Sequence, residues 1–148
     1  NRLQLPSGFP FHSHVVALLR ACVEKRGGTT GVLNRRLGDE REREGERPNF
    51  VTFLCLLTAC NHAGLVNKAP AYFNIMMQYY GIHPTQEHYI CMVELLGRAG
   101  QLDSVVTMIE KTPFRPNLTM WCNVLDACRK WGNIELAKLC LNEAILYN

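Results

Sequence analysis

An internal repeat constrains this chain more than any other feature. The segments FLCLLTACNHAGLVNKA (residues 53–69), YICMVELLGRAGQLDSV (89–105) and WCNVLDACRKWGNIELA (121–137) align without a gap. Phe53, Tyr89 and Trp121 share a column, as do Leu56, Met92 and Val124, and Gly64, Gly100 and Gly132. Three residues after each glycine comes a polar or acidic residue: Asn67, Asp103 or Glu135. The offsets are 36 and then 32 residues in every column. Units of this size cannot bury an apolar face alone, so they stack on one another.

Within each unit the pattern predicts two helices. Phe53, Leu56, Leu57 and Cys60 recur at the spacing of one helix face, and so do Tyr89, Met92, Val93, Leu96 and Trp121, Val124, Leu125, Cys128. The shared glycine ends this helix, because glycine accepts the left-handed conformation at little cost. Asn67 and Asp103 are expected to cap the second helix. Its apolar face is carried by Tyr72, Phe73 and Met76 in one unit and by Val106 and Ile109 in the next. His83-Pro84 and Arg115-Pro116 stop it, since a residue before proline resists helical ψ. Pro70 is tolerable if it falls in the first turn, where its missing N–H has no intrahelical partner. The architecture expected is all-α, an α-solenoid of stacked antiparallel helix pairs. Its last pair should leave part of one face uncovered.

The 148 residues carry a net charge of +3 and are 47% hydrophobic, which is ordinary globular composition. No apolar run approaches the roughly 18–20 residues of a membrane span. The charge excess lies in residues 1–50; over 51–148 seven basic residues meet seven acidic ones. Net charge is thus silent about nucleic acid in the repeat region. The seven cysteines form no Cys-x-x-Cys. An odd count without ligand spacing reads as reduced thiols used as small core residues, with Cys60 and Cys128 buried in one column.

The first third follows the pattern less well. Leu18-Leu19-Arg20-Ala21-Cys22 matches Leu56-Leu57-Thr58-Ala59-Cys60, so a helix is expected at about 13–26 as part of a partial repeat. The alternating charges of 39–47 have no apolar face and read as a linker or a frayed helix. Arg47-Pro48-Asn49 repeats Arg115-Pro116-Asn117, the close of a unit.

Residues 48–148 resemble the C-terminal part of plant pentatricopeptide-repeat proteins of the PLS class. Residues 48–84 are similar to the long repeat, 85–117 to the short repeat and 118–148 to the E-type motif that follows. The resemblance implies a superhelix like that of tetratricopeptide repeats. It also implies an RNA-binding factor of mitochondria or chloroplasts, commonly one directing cytidine-to-uridine editing. In that family each repeat faces one base through the fifth residue of its first helix and its own last residue. Carried onto this chain, the pairs are Leu54 with Thr85 and Ile90 with Asn117. Asn49 closes the preceding repeat, and Cys122 is the fifth residue of the E-type motif.

Base edges are read by donors and acceptors. Asn49, Thr85 and Asn117 carry them; Leu54 and Ile90 offer only van der Waals contact. These three polar residues also suit ordinary post-proline turns. Lys68, Arg98, Lys111, Arg115, Arg129 and Lys130 are candidates for phosphate contact, or simply for solubility. Phe53, Tyr89 and Trp121 could form a stacking platform, but their place in the stripe makes them core. His12-x-His14 is a weak metal hint, and no cofactor or metal site is expected. A zinc cytidine deaminase needs His-x-Glu with Pro-Cys-x-x-Cys, and neither string occurs. The sequence therefore reads as non-catalytic, and editing would need a deaminase recruited in trans. A protein-interaction scaffold and an inactive gene fragment remain alternatives.

Overall fold

The computed structural model describes residues 48–146. The helix expected at 13–26, the charged stretch 39–47 and the His12/His14 pair lie outside the described residues. Every regular element among the described residues is helical. The chain divides into two compact units, Asn1–Pro84 and Thr85–Asn148. In the first, α1 (Phe50–Ala63) pairs with α2 (Lys68–Asn74), which runs on as a π-helical turn (Ile75–Tyr79). In the second, α3 (Gln86–Arg98) pairs with α4 (Leu102–Lys111) and α5 (Leu118–Trp131) with α6 (Ile134–Leu146). There α3 also packs directly on α5.

The expected stripes form the core. Phe53, Leu56, Leu57 and Cys60 are buried in the first unit. Tyr89, Met92, Val93, Leu96, Trp121, Val124 and Cys128 are buried in the second, while Leu125 is half-buried. Each large apolar side chain so buried contributes about 1.5–3 kcal/mol. The aromatic column is core rather than platform: Phe53 is 0%, Tyr89 5% and Trp121 7% exposed. The Trp121 indole N–H is enclosed without an acceptor among the described residues. Such a group costs about 1–3 kcal/mol.

All three hairpins turn the same way. The N–H of Leu65, Gln101 and Asn133 donates to the carbonyl of Cys60, Leu96 and Cys128, at 2.9, 3.0 and 2.9 Å. This is the closing bond of a glycine-terminated helix, and Gly64, Gly100 and Gly132 all have positive φ. The second helix starts within two to four residues of the glycine, and two capping expectations are corrected in detail. Asn67 does stand at the N-cap of α2, but with helical φ/ψ and no side-chain cap bond. Asp103 lies inside the first turn of α4, where a carboxylate suits the helix dipole without capping it. Among the second helices described, only α6 has a side-chain cap bond, Asn133 Oδ1 accepting from Leu136 N–H at 3.1 Å. Pro70 does sit in the first turn of α2. A second correction concerns α4: Val105 is fully buried, while Val106 and Ile109 are only half-buried.

The π turn has no signal in the repeat. Tyr80 N–H donates to Ile75 O at 3.2 Å and Ile82 N–H to Met76 O at 2.9 Å. The Tyr80 ring lies 5.6 Å from Phe53.

Two glycines set how closely α3 and α5 approach. A Cβ on Gly97 would lie 2.9 Å from Ala127 Cβ, and one on Gly100 would lie 3.0 Å from the Trp131 ring. Trp131 Nε1–H donates to Gly97 O at 2.9 Å, and Lys130 Nζ–H to Arg98 O at 3.1 Å. Side chains at the end of α5 thus reach carbonyls in the last turn of α3, where Gly97 O also accepts from Gly100 N–H at 3.1 Å. On α6, Ile134, Leu141 and Ile145 stand exposed at 68%, 49% and 67%.

Two predictions follow from this packing. Gly97→Ala should destabilise the fold by about 1–3 kcal/mol through overpacking, although alanine favours helices. Pairing it with Ala127→Gly should recover part of the loss in denaturant melts. Cys140 is buried on α6, and burial first, then the neighbouring Cys128 and Glu143, push its thiol from 9.0 up to about 11. A group raised on folding stabilises fully below its unfolded value and loses that as pH climbs through its folded one. Thermal stability should therefore fall between those two pH values, and Cys140→Ala should flatten that slope.

Candidate nucleic-acid interface

Each of the three polar base-facing candidates sits in extended backbone immediately before a first helix. Asn49 precedes α1, Thr85 precedes α3 and Asn117 precedes α5. Asn49 Oδ1 accepts from Val51 N–H at 3.0 Å and Thr52 N–H at 3.1 Å. Thr52 Oγ1 accepts from Asn49 N–H at 3.3 Å, completing a reciprocal cap. Asn117 Oδ1 accepts from Met120 N–H at 2.9 Å. Thr85 N–H donates to His88 Nδ1 at 3.0 Å. All three are half-buried. They are therefore helix caps with a structural role that needs no ligand. With Oδ1 committed to backbone, each asparagine keeps its Nδ2 donors for anything facing it.

Leu54 and Ile90 are half-buried on α1 and α3, and Cys122 is exposed on α5. None brings a strong side-chain hydrogen-bonding group. Lys68, Arg98, Lys111, Arg115, Arg129 and Lys130 are all exposed. Arg129 lies 3.7 Å from Asp126, both highly exposed, an ion pair worth little in water. The structure does bring Arg98 and Lys130 together, since Lys130 reaches the Arg98 carbonyl. Its ammonium also stands 5.1 Å from the Trp131 ring centroid. The repeat alignment held a faint signal of this, because Trp131 occupies the column of Ala63 and Ala99.

Sequence reasoning passed over His88 and Glu87. His88 is fully buried in the third residue of α3. Glu87 is exposed beside it; its carboxyl is held below the usual range by its own backbone N–H first and by the Thr85 hydroxyl second. No cluster of metal-ligating side chains occurs among the described residues. No described helix is long and apolar enough to cross a membrane.

Residues 51–80 match the family model described as PPR repeat. The chain is similar to a pentatricopeptide repeat-containing protein of Arabidopsis thaliana, 41% identical over 135 residues, or 91% of this chain and 24% of that protein. A second such Arabidopsis protein, named chloroplastic/mitochondrial, is 46% identical over 66% of this chain and 15% of its own length. A third is 42% identical over 73% of this chain and 20% of its own. The chain thus spans a quarter or less of the length of these curated relatives. The first match is longer than residues 48–148, so the likeness reaches into the first third, beyond the few motifs legible there. The repeat match and the relatives support a plant pentatricopeptide-repeat protein.

Losing either asparagine cap should cost about 0.5–2 kcal/mol. Asn49→Ala and Asn117→Ala should both lower the unfolding midpoint, while Asn117→Asp, which keeps an oxygen on Met120 N–H, should not. Circular-dichroism melts of the three variants check this.

Proposed function

We propose that this chain, as part of a plant pentatricopeptide-repeat protein, binds single-stranded RNA in mitochondria or chloroplasts without catalysing a reaction itself. Proteins of this repeat family are generally non-enzymatic, organellar RNA binders. The observation that carries the reading is positional. Asn49, Thr85 and Asn117 recur at one place, the cap of each first helix, with polar atoms left over after capping. In the second unit Ile90 and Asn117 are the pair assigned to one base, Ile90 by van der Waals contact and Asn117 by its Nδ2 donors. Arg98, Arg115 and Lys130 supply phosphate contacts, joined by Lys68 and Arg129.

In its finer form the proposal divides residues 48–148 into a long repeat, a short repeat and an E-type motif. The parent protein then serves cytidine-to-uridine editing or RNA processing, with any deaminase coming from a partner. A second reading, a protein-interaction scaffold, is favoured by one observation: the exposed apolar stripe Ile134, Leu141 and Ile145 on α6.

With charge balanced over 51–148, binding by this chain alone should be weak, single-strand-preferring and salt-sensitive. Oligonucleotides varied at one base, titrated at two salt concentrations, test it. Asn117→Asp keeps the cap and replaces the outward donors, so it should change base preference by on the order of 1 kcal/mol. Arg115→Ala should weaken all sequences alike and flatten the salt dependence. Absence of RNA binding even with the neighbouring repeats of a longer chain would favour the scaffold.

A further inference from the structure

The buried His88 packs against Thr85 in a way that fixes the direction of one proton. Thr85 N–H donates to His88 Nδ1 at 3.0 Å. A backbone N–H can only donate, so Nδ1 must carry a lone pair and the neutral ring holds its proton on Nε2. Thr85 Oγ1 lies 2.7 Å from the same Nδ1. At that distance two lone pairs would repel, so the hydroxyl proton lies between them and Thr85 is the donor.

Glu87 competes for this proton, because the Thr85 hydroxyl also helps to hold its carboxyl low. Burial decides between the two. Glu87 is exposed, and water can serve it equally well. His88 is 0% exposed, so no water can take the hydroxyl's place at Nδ1, and at 2.7 Å the two lone pairs would face each other if the proton turned away.

We propose that His88 is a positioning residue that presents Thr85 to RNA as a hydrogen-bond acceptor only. Its hydroxyl proton is spent inward on Nδ1 and one lone pair takes the His88 backbone N–H, so the oxygen meets a base edge with its remaining lone pair alone. The base groups that satisfy it are donors: an exocyclic amine or a ring N–H. A base presenting only acceptors there is rejected. This assignment rests on the base-facing role proposed above for Thr85. It predicts a selectivity that the residue type does not, since a threonine hydroxyl ordinarily donates or accepts at will.

The first test needs no RNA. Imidazole nitrogen shifts of the ¹⁵N-labelled chain should show His88 Nδ1 unprotonated and Nε2 protonated. A protonated Nδ1 overturns the proposal. The second compares oligoadenylate with oligo(purine riboside), which keeps the ring acceptor N1 but lacks the exocyclic amine. Adenylate should bind about fivefold tighter, the value of one net hydrogen bond. Thr85→Val should abolish that ratio. His88→Gln still offers Thr85 N–H an oxygen, but its amide no longer dictates the hydroxyl direction. Purine riboside should then regain affinity, while thermal melts report whether the cap survives. An unchanged ratio in both variants overturns the positioning role and leaves RNA binding intact. Failure of both oligonucleotides to bind, with the expected nitrogen shifts, overturns the base-facing role itself.

Discussion

The second unit depends on how near α3 and α5 can come. Gly97 against Ala127 brings the two backbones to a distance that no larger pair allows. At that distance the end of α5 reaches the end of α3. Trp131 and Lys130 can then donate to the Gly97 and Arg98 carbonyls in the last turn of α3. Because the Trp131 ring lies against Gly100, the same contact also fixes the turn into α4. Packing, capping and chain reversal thus share one small patch.

That patch also shapes the surface offered to a ligand. Lys130 is held beside Arg98 by a bond made for structural reasons, and two cations end up at one end of the hairpin stack. At the other end of each first helix the caps do similar double service. Asn117 and Asn49 turn their oxygens to the backbone and keep their nitrogens, and Thr85 gives its N–H to a buried histidine. The chemistry these residues can present is what capping leaves over.

The column that equates Gly97 with Asn61 and Arg129 shows that the repeats are not interchangeable. Arg129 is exposed and lies near Asp126, so the outward side of α5 lacks the small residue that lets α3 come close. A layer laid on α5 would meet a guanidinium where α5 itself met a glycine. On α6 the corresponding outward residues stay apolar, and Ile134, Leu141 and Ile145 remain exposed.

Much of this was legible in the residues. The 36- and 32-residue offsets gave the number of hairpins in 48–148, the glycines gave their turns, and the apolar stripes gave nearly the whole core. These are local and periodic properties, set by side-chain spacing along one helix and by the φ that each turn needs. The pattern put Asn67 correctly at the start of α2 but not its missing side-chain bond, and it put Asp103 at a cap rather than inside the first turn, because the turn's length is settled only by its closing hydrogen bond. It held no sign of the π turn or of the His88–Thr85 pair, and only Trp131, out of keeping with its column, hinted at that residue's contacts. The Trp131 hydrogen bond joins residues 34 apart, the π turn is a local change of backbone hydrogen bonding, and the His88–Thr85 pair depends on a rotamer. Which asparagine oxygen is spent and which proton points inward are settled only when the helices pack and fix every donor against an acceptor.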